Sequence, residues 1–436
     1  MDARELPARP SLTQYEKLAE DVVNAYNSGD SDALQRIKEH YAFERPLTLE
    51  ELRARIAQRL RGLRGSENQS ADFALGDAQD LIADSHCFEN WFTFSGYIHA
   101  INTENSPDSQ FEAAVDAVVS GDVATLERLL HENPELIRAR SAREHGATLL
   151  HYVAANGVED FRQKTPKNAV EIAETLLKAG AEVDADLAYG SSLSVRTRYP
   201  ERVGSTTLGL VATSIHPAHA GVQIALMESL LDAGAALDGI RGGWGFVNGC
   251  LANGRPEAAH FLARRGARLD LESAAGVGRL DIVQSFFNED GSLKPTATKA
   301  QMESGFMWAC EYGHTRVAEF LLDINQGGLD VGTKAHGMTG LHWAMVGGRL
   351  DTIKFLLERK APLESENNYG GTVLGCAIWA VGQSDPVYRW PDSDTDWLAI
   401  VQMLVDAGAK VYETDSDFPT GNERVDELLR RHGMKP

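Results

Sequence analysis

One short string recurs along this chain, and it limits what the chain can fold into. It reads AETLLKAGAEVDA at 173–185, MESLLDAGAALDG at 227–239 and AAHFLARRGARLD at 258–270. It returns as TIKFLLERKAPLE at 352–364 and VQMLVDAGAKVYE at 401–413. Each copy is a short helix with one apolar stripe that closes on Gly-Ala or a near substitute. A glycine there enters the left-handed region without a Cβ penalty, which is how many helices end. Gly234 and Gly266 lie 32 residues apart, and Lys360, in the glycine's place, lies about three such periods beyond Gly266. Self-similarity at a fixed period of this size marks a stack of small units, each burying its apolar face against its neighbours.

A second string precedes the first. It reads ATLLHYVAANG at 147–157, TTLGLVATS at 206–214, TGLHWAMVGG at 339–348 and TVLGCAIWA at 372–380. Small residues in its middle allow close helix packing, and the leading threonine can cap the helix start. Weaker copies occupy 271–287 and 304–323, and the copy beginning GGWGF at 242 lacks a clean helix opening. The pair of strings resembles the ankyrin repeat, a β-turn finger followed by two helices. Two departures stand out: no copy has the family's Thr-Pro pair, and the motif histidine survives only at His151 and His342. The resemblance implies an all-α solenoid of about eight helix-turn-helix units with short fingers, between Phe111 and Glu413, and a final helix at 422–433. It also implies structural roles for His151 and His342, and partner binding through the fingers and the concave face of the first helices.

The first hundred residues are helical without the repeat. Tyr15, Leu18, Val22 and Tyr26 share one stripe. Residues 31–41 form a second short helix. Thr48 and Glu51 make a capping box ahead of a helix with Leu49, Leu52, Ile56, Leu60 and Leu63 on its apolar face. Residues 74–102 read as two helices broken near 85–89, and GDAQDLIADSHCFENW resembles a helical module found before ankyrin arrays in bacterial proteins. The polar run INTENSPDSQ, 101–110, reads as a linker. The expected domains are 1–105, a helical capping module, and 106–436, the repeat array with insertions and a C-terminal capping helix. A solenoid needs such polar-faced ends.

Composition bears mostly on partners. The net charge of −21 repels nucleic-acid phosphates and anionic lipid. Cys87, Cys250, Cys310 and Cys376 form no CxxC pair, so neither a zinc site nor a disulfide framework is expected. No apolar run has the length of a membrane span. The expectation is a cytoplasmic monomer that binds a protein, without nucleic acid, membrane, metal or cofactor. The arginines at 53, 55, 59, 61 and 64 read as the solvated side of a helix. His216 and His219 read as loop residues, because zinc needs more ligands than two. No phosphate loop or nucleophile elbow occurs, so no catalytic residue is assigned.

Candidate binding residues come from insertions and from groove positions. A long finger at 185–205 gathers Arg196, Arg198, Tyr199 and Arg202. The loop VGQSDPVYRWPDSDTDW carries Tyr388 and Trp390 among aspartates. Aligning the repeats puts Ala155 and Asn156, Thr213 and Ser214, Glu311 and Tyr312, Val346 and Gly347, and Trp379 at the end of the first helix, facing the groove, and Trp343 in the core; of these, Glu311, Tyr312 and Trp379 are the binding candidates. Aromatic and arginine side chains are the usual anchors of interfaces. Two other readings stay open: an enzyme or ligand site built from the inserted loops, and a structural domain of a homo-oligomer or larger assembly.

Overall fold

The computed structural model describes residues 5–7, 9–40, 48–64, 73–187, 206–239, 245–324, 329–382 and 395–435, the side chains of 40 and 59–64 excepted. The chain divides into two compact units, Met1–Gly243 and Trp244–Pro436.

The first unit opens with the helices Leu12–Ser28, Ser31–His40, Leu49–Arg64, Leu75–Ser85 and Trp91–Ile101. They bury Tyr15, Val22, Ile82, Phe94 and Ile98 in a core of their own. The expected capping box forms: the Glu51 N–H donates to Thr48 Oγ1 at 3.2 Å, and the Thr48 N–H donates to Glu51 Oε2 at 3.1 Å. Arg53 donates to the Tyr26 carbonyl at 2.7 Å and sits over that ring, so this arginine of the basic run braces a neighbouring helix. The expected linker is shorter than its composition suggested. Only 102–106 separate the helix Trp91–Ile101 from Pro107–Ser120, because Ser106 caps the latter and Pro107 occupies its first turn.

Three helix pairs follow in this unit: Pro107–Ser120 with Val123–Glu132, the 3-10 turn Leu149–Ala154 with Ala169–Lys178, and Thr207–Thr213 with Gln223–Asp232. Among the described residues the second unit holds five: Phe246–Ala252 with Pro256–Arg264, Leu271–Gly276 with Leu280–Ser285, Lys299–Glu311 with Thr315–Asp323, Gly340–Val346 with Leu350–Glu358, and Val373–Gly382 with Trp397–Asp406. The helix Glu423–Arg431 closes the chain. The protein is thus an all-α repeat solenoid, as the period predicts. The copy with no clean opening starts its helix on Gly245, with no side-chain cap.

Helix ends follow the sequence logic. Gly180, Gly234, Gly266 and Gly408 have φ of 96°, 96°, 95° and 97°. Lys360 occupies the same place at φ 59°, where its Cβ is strained.

Two rows of contacts stitch consecutive repeats. In the finger row, His151 Nε2 donates to the Ala185 carbonyl at 2.9 Å and His342 Nε2 to the Gly371 carbonyl at 3.3 Å. Their Nδ1 atoms accept from the N–H groups of Thr148 and Thr339. That arrangement requires the neutral ring with its proton on Nε2. In the helix-turn row, His314 Nε2 donates to the Gly276 carbonyl at 3.0 Å, and Arg349 Nε donates to the Glu311 carbonyl at 2.9 Å. A Cβ on Gly347 would come within 1.9 Å of the Glu311 carbonyl oxygen, so only glycine permits this approach.

Candidate interaction surface

The fingers of the second unit are short turns with defined tips. Lys334–Ala335 pairs with Met338–Thr339, and His336 and Gly337 make the turn at φ 53° and 80°. In the next finger, Asn367 Oδ1 accepts from the Tyr369 N–H at 2.8 Å and the Gly371 N–H at 3.0 Å. This Asn-anchored turn, with Gly370 at φ 82°, holds Tyr369 out to 96% exposure. Lys334 Nζ donates to the Glu366 carbonyl at 2.6 Å, and the Lys410 N–H donates to Glu364 Oε1 at 2.8 Å. These two bonds lash three consecutive fingers into one edge.

Trp379 sits on the helix that follows Tyr369. That helix buries Val373, Leu374, Ala377 and Ile378 on its packed stripe. The residue after Ile378 turns away from that stripe, and the indole is 52% exposed. Solvent-facing indoles are uncommon, and interfaces use them as anchors.

Glu311 and Tyr312, aligned with Trp379 in sequence, are placed differently. They are 5% and 8% exposed. The Tyr312 hydroxyl donates to the Leu251 carbonyl, two repeats earlier in sequence. Burial raises the Glu311 carboxyl to about 8, with Arg349 only partly opposing it. The last turn of this first helix is covered by the next repeat through Gly347, so the two side chains turn inward. Ser214, at the same aligned place, is also buried. Trp343 is partly buried against the core, and its indole N–H donates to the Ala335 carbonyl at 3.5 Å. The expected binding residues Arg196, Arg198, Tyr199 and Arg202, and Tyr388 and Trp390, lie outside the described residues.

Sequence reasoning missed two features. The first is the set of exposed finger aromatics, Tyr369 and Tyr412. The run Asn-Asn-Tyr-Gly-Gly is a turn signature, and it could have placed Tyr369 at a tip. The second is a buried ion cluster in the first unit. Arg143 Nη1 lies 2.8 Å from Glu112 and its Nε 2.9 Å from Glu159, and Arg162 bridges Glu112 at 2.5 Å and Asp116 at 2.8 Å. The Arg143 guanidinium stands over the Tyr97 ring of the helix Trp91–Ile101 and the Phe88 ring in the connection before it. Burial would raise the Glu159 carboxyl, but Arg143, His145 and Arg162 outweigh it and hold the group well below the usual range. Glu112 is lowered by the same two arginines against its own desolvation. Every member is answered by opposite charge, so the cluster reads as a clasp between the N-terminal helices and the first repeats rather than as reactive groups.

Other chemical candidates contribute little. His216 and His219 belong to a short helix, Ile215–His219, rather than a loop. Among the described residues no group of three or more His, Cys, Asp or Glu side chains could hold a metal ion. Burial pushes the thiols of Cys87 and Cys250 up to about 12, which disfavours the reactive thiolate. No helix among the described residues is long and apolar enough to cross a membrane.

The family model for ankyrin repeats (three copies) matches residues 271–367 and 306–388. Those are the helix pairs around Trp308, Trp343 and Trp379, and the same two-helix plan runs on either side of them. Residues 271–388 of the chain are ankyrin repeats. Ankyrin repeats are in general protein–protein interaction modules. A search of curated proteins found no match. Among solved structures, the human ASB11 ankyrin repeat domain is similar at 18% identity, covering 66% of this chain and 98% of that one, with a TM-score of 0.30.

Proposed function

We propose that this chain is a non-catalytic scaffold that binds a protein partner through the first-helix face and fingers of its second unit, centred on Trp379. The observation that carries this reading is the half-exposed indole on a helix whose other large side chains are packed. Burying an aromatic of this size supplies a large share of the affinity of an ordinary interface. Tyr369 extends the same chemistry to the adjoining finger. The N-terminal helices, in this reading, cap the array, and the Arg143 clasp keeps them seated.

The test is affinity purification of tagged wild-type and Trp379→Ala protein from native extract, with quantitative mass spectrometry. A partner enriched with wild type and at least about tenfold depleted with the variant, at unchanged melting temperature, supports the reading. Partners retained equally by both proteins would overturn the role of Trp379.

A further inference from the structure

We propose that the finger edge of the second unit docks an arginine- or lysine-rich segment of a partner protein, with Tyr369 as its stacking platform. This rests on the binding reading above and adds the chemistry of the partner. The three finger segments 329–337, 361–371 and 409–420 carry six carboxylates against two lysines. Both lysines are engaged within the chain. Lys334 is bonded to the Glu366 carbonyl, and Lys410 Nζ lies 4.4 Å from the centre of the Tyr412 ring. Glu413 meets Lys435 Nζ at 3.4 Å, and among the described residues no cation forms an ion pair with the other five carboxylates, so the edge offers net negative charge. It also offers a ring face, since Tyr369 projects from the middle finger at 96% exposure, three residues beyond Glu366. A guanidinium stacks on an aromatic face and pairs with a carboxylate at the same time, which a neutral or acidic segment cannot do. The Lys410–Tyr412 contact displays the cation-over-ring half of that arrangement within the molecule itself.

The probe is a short fluorescein-labelled peptide of alternating arginine and glycine, titrated with the full chain by fluorescence anisotropy at near-physiological salt. A glutamate–glycine peptide is the control ligand. Saturable binding is expected, weakened about tenfold by Tyr369→Ala and comparably by the pair Glu366→Gln and Asp417→Asn. The charge-matched pair Glu127→Gln and Glu171→Gln, at exposed positions of the first unit, should leave it unchanged. Equal weakening by that control pair would show attraction to the acidic chain as a whole and overturn the proposal. So would equal binding of the glutamate peptide, or no binding of the arginine peptide. A Trp379-dependent partner captured from extract while the arginine peptide fails to bind would overturn this inference alone and leave the scaffold reading standing.

Discussion

Glu159 in the first unit and Glu311 in the second are buried to nearly the same extent, yet their surroundings push them in opposite directions. Glu159 has Arg143 at 2.9 Å and Arg162 close by, and it stays ionised far below the usual carboxylate range. Glu311 has Arg349 nearby, but that guanidinium donates to its main-chain carbonyl, and burial raises the carboxyl to about 8. The difference reaches beyond one residue type. The first unit buries its charge in pairs and uses them to fasten its helices together. The second unit leaves one carboxyl nearly alone inside and turns aromatic and acidic side chains outward. Buried charge in the first unit thus comes in opposed pairs, whereas Glu311 in the second unit lies buried with its nearest guanidinium turned to the main chain.

The contrast can be broken most severely at Arg143. Replacing it with alanine removes the nearest cation from buried Glu159 and leaves it only Arg162 and His145, each at 3.6 Å, and stability of the first unit should fall by about 3–5 kcal/mol. Urea denaturation followed by fluorescence would measure it. The double change Arg143→Met with Glu159→Gln should recover part of the loss. A single change costing under about 1 kcal/mol would mean that the clasp does not hold the unit together.

Histidines test both units at once. Burial lowers His151 in the first unit and His314 in the second to about 4. Between that value and the ordinary 6.5, the unfolded chain takes up protons that the folded chain refuses. Stability is therefore intact above pH 6.5 and declines as pH falls toward 4, by up to about 3 kcal/mol for each ring. Melting curves over that range should show the decline, and His314→Gln should flatten it for the second unit.

Glu311 should show the reverse sign. Between its ordinary 4.5 and about 8 the folded chain keeps a proton that the unfolded chain has lost. Stability then falls as pH rises through this window. Glu311→Gln should stabilise the protein by about 2 kcal/mol at pH 8 and change nothing at pH 4.5. Glu159→Gln at pH 8 should destabilise instead. Two glutamines acting in the same direction would erase the comparison.

The smallest effect concerns Lys360. Its φ of 59° belongs to glycine, and Lys360→Gly should raise stability by roughly 0.5–1 kcal/mol in thermal denaturation.

The repeats were legible because Gly-Ala helix ends and threonine-led openings recur at a nearly constant period, and each has a local physical cause. The clasp was not legible. Glu112, Arg143, Glu159 and Arg162 are separated by as much as 50 residues, and only folding brings them together. The groove alignment grouped Trp379, which is half exposed, with Glu311 and Tyr312, which are buried. It could not distinguish that position from Glu311 and Tyr312, because equal places in the repeat are covered or open according to the neighbour. Tyr369 is readable in the turn signature Asn-Asn-Tyr-Gly-Gly, which marks a tip but not how far its side chain projects.

The central claim is that the second unit presents Trp379 to a protein. Incorporating the photo-crosslinker benzoylphenylalanine at 379, and separately at exposed Glu171 in the first unit, tests it in native extract. The account predicts a discrete adduct from position 379, suppressed by excess wild-type chain and absent from position 171. Equal adducts from both positions, or none from 379 while 171 reacts, would contradict it.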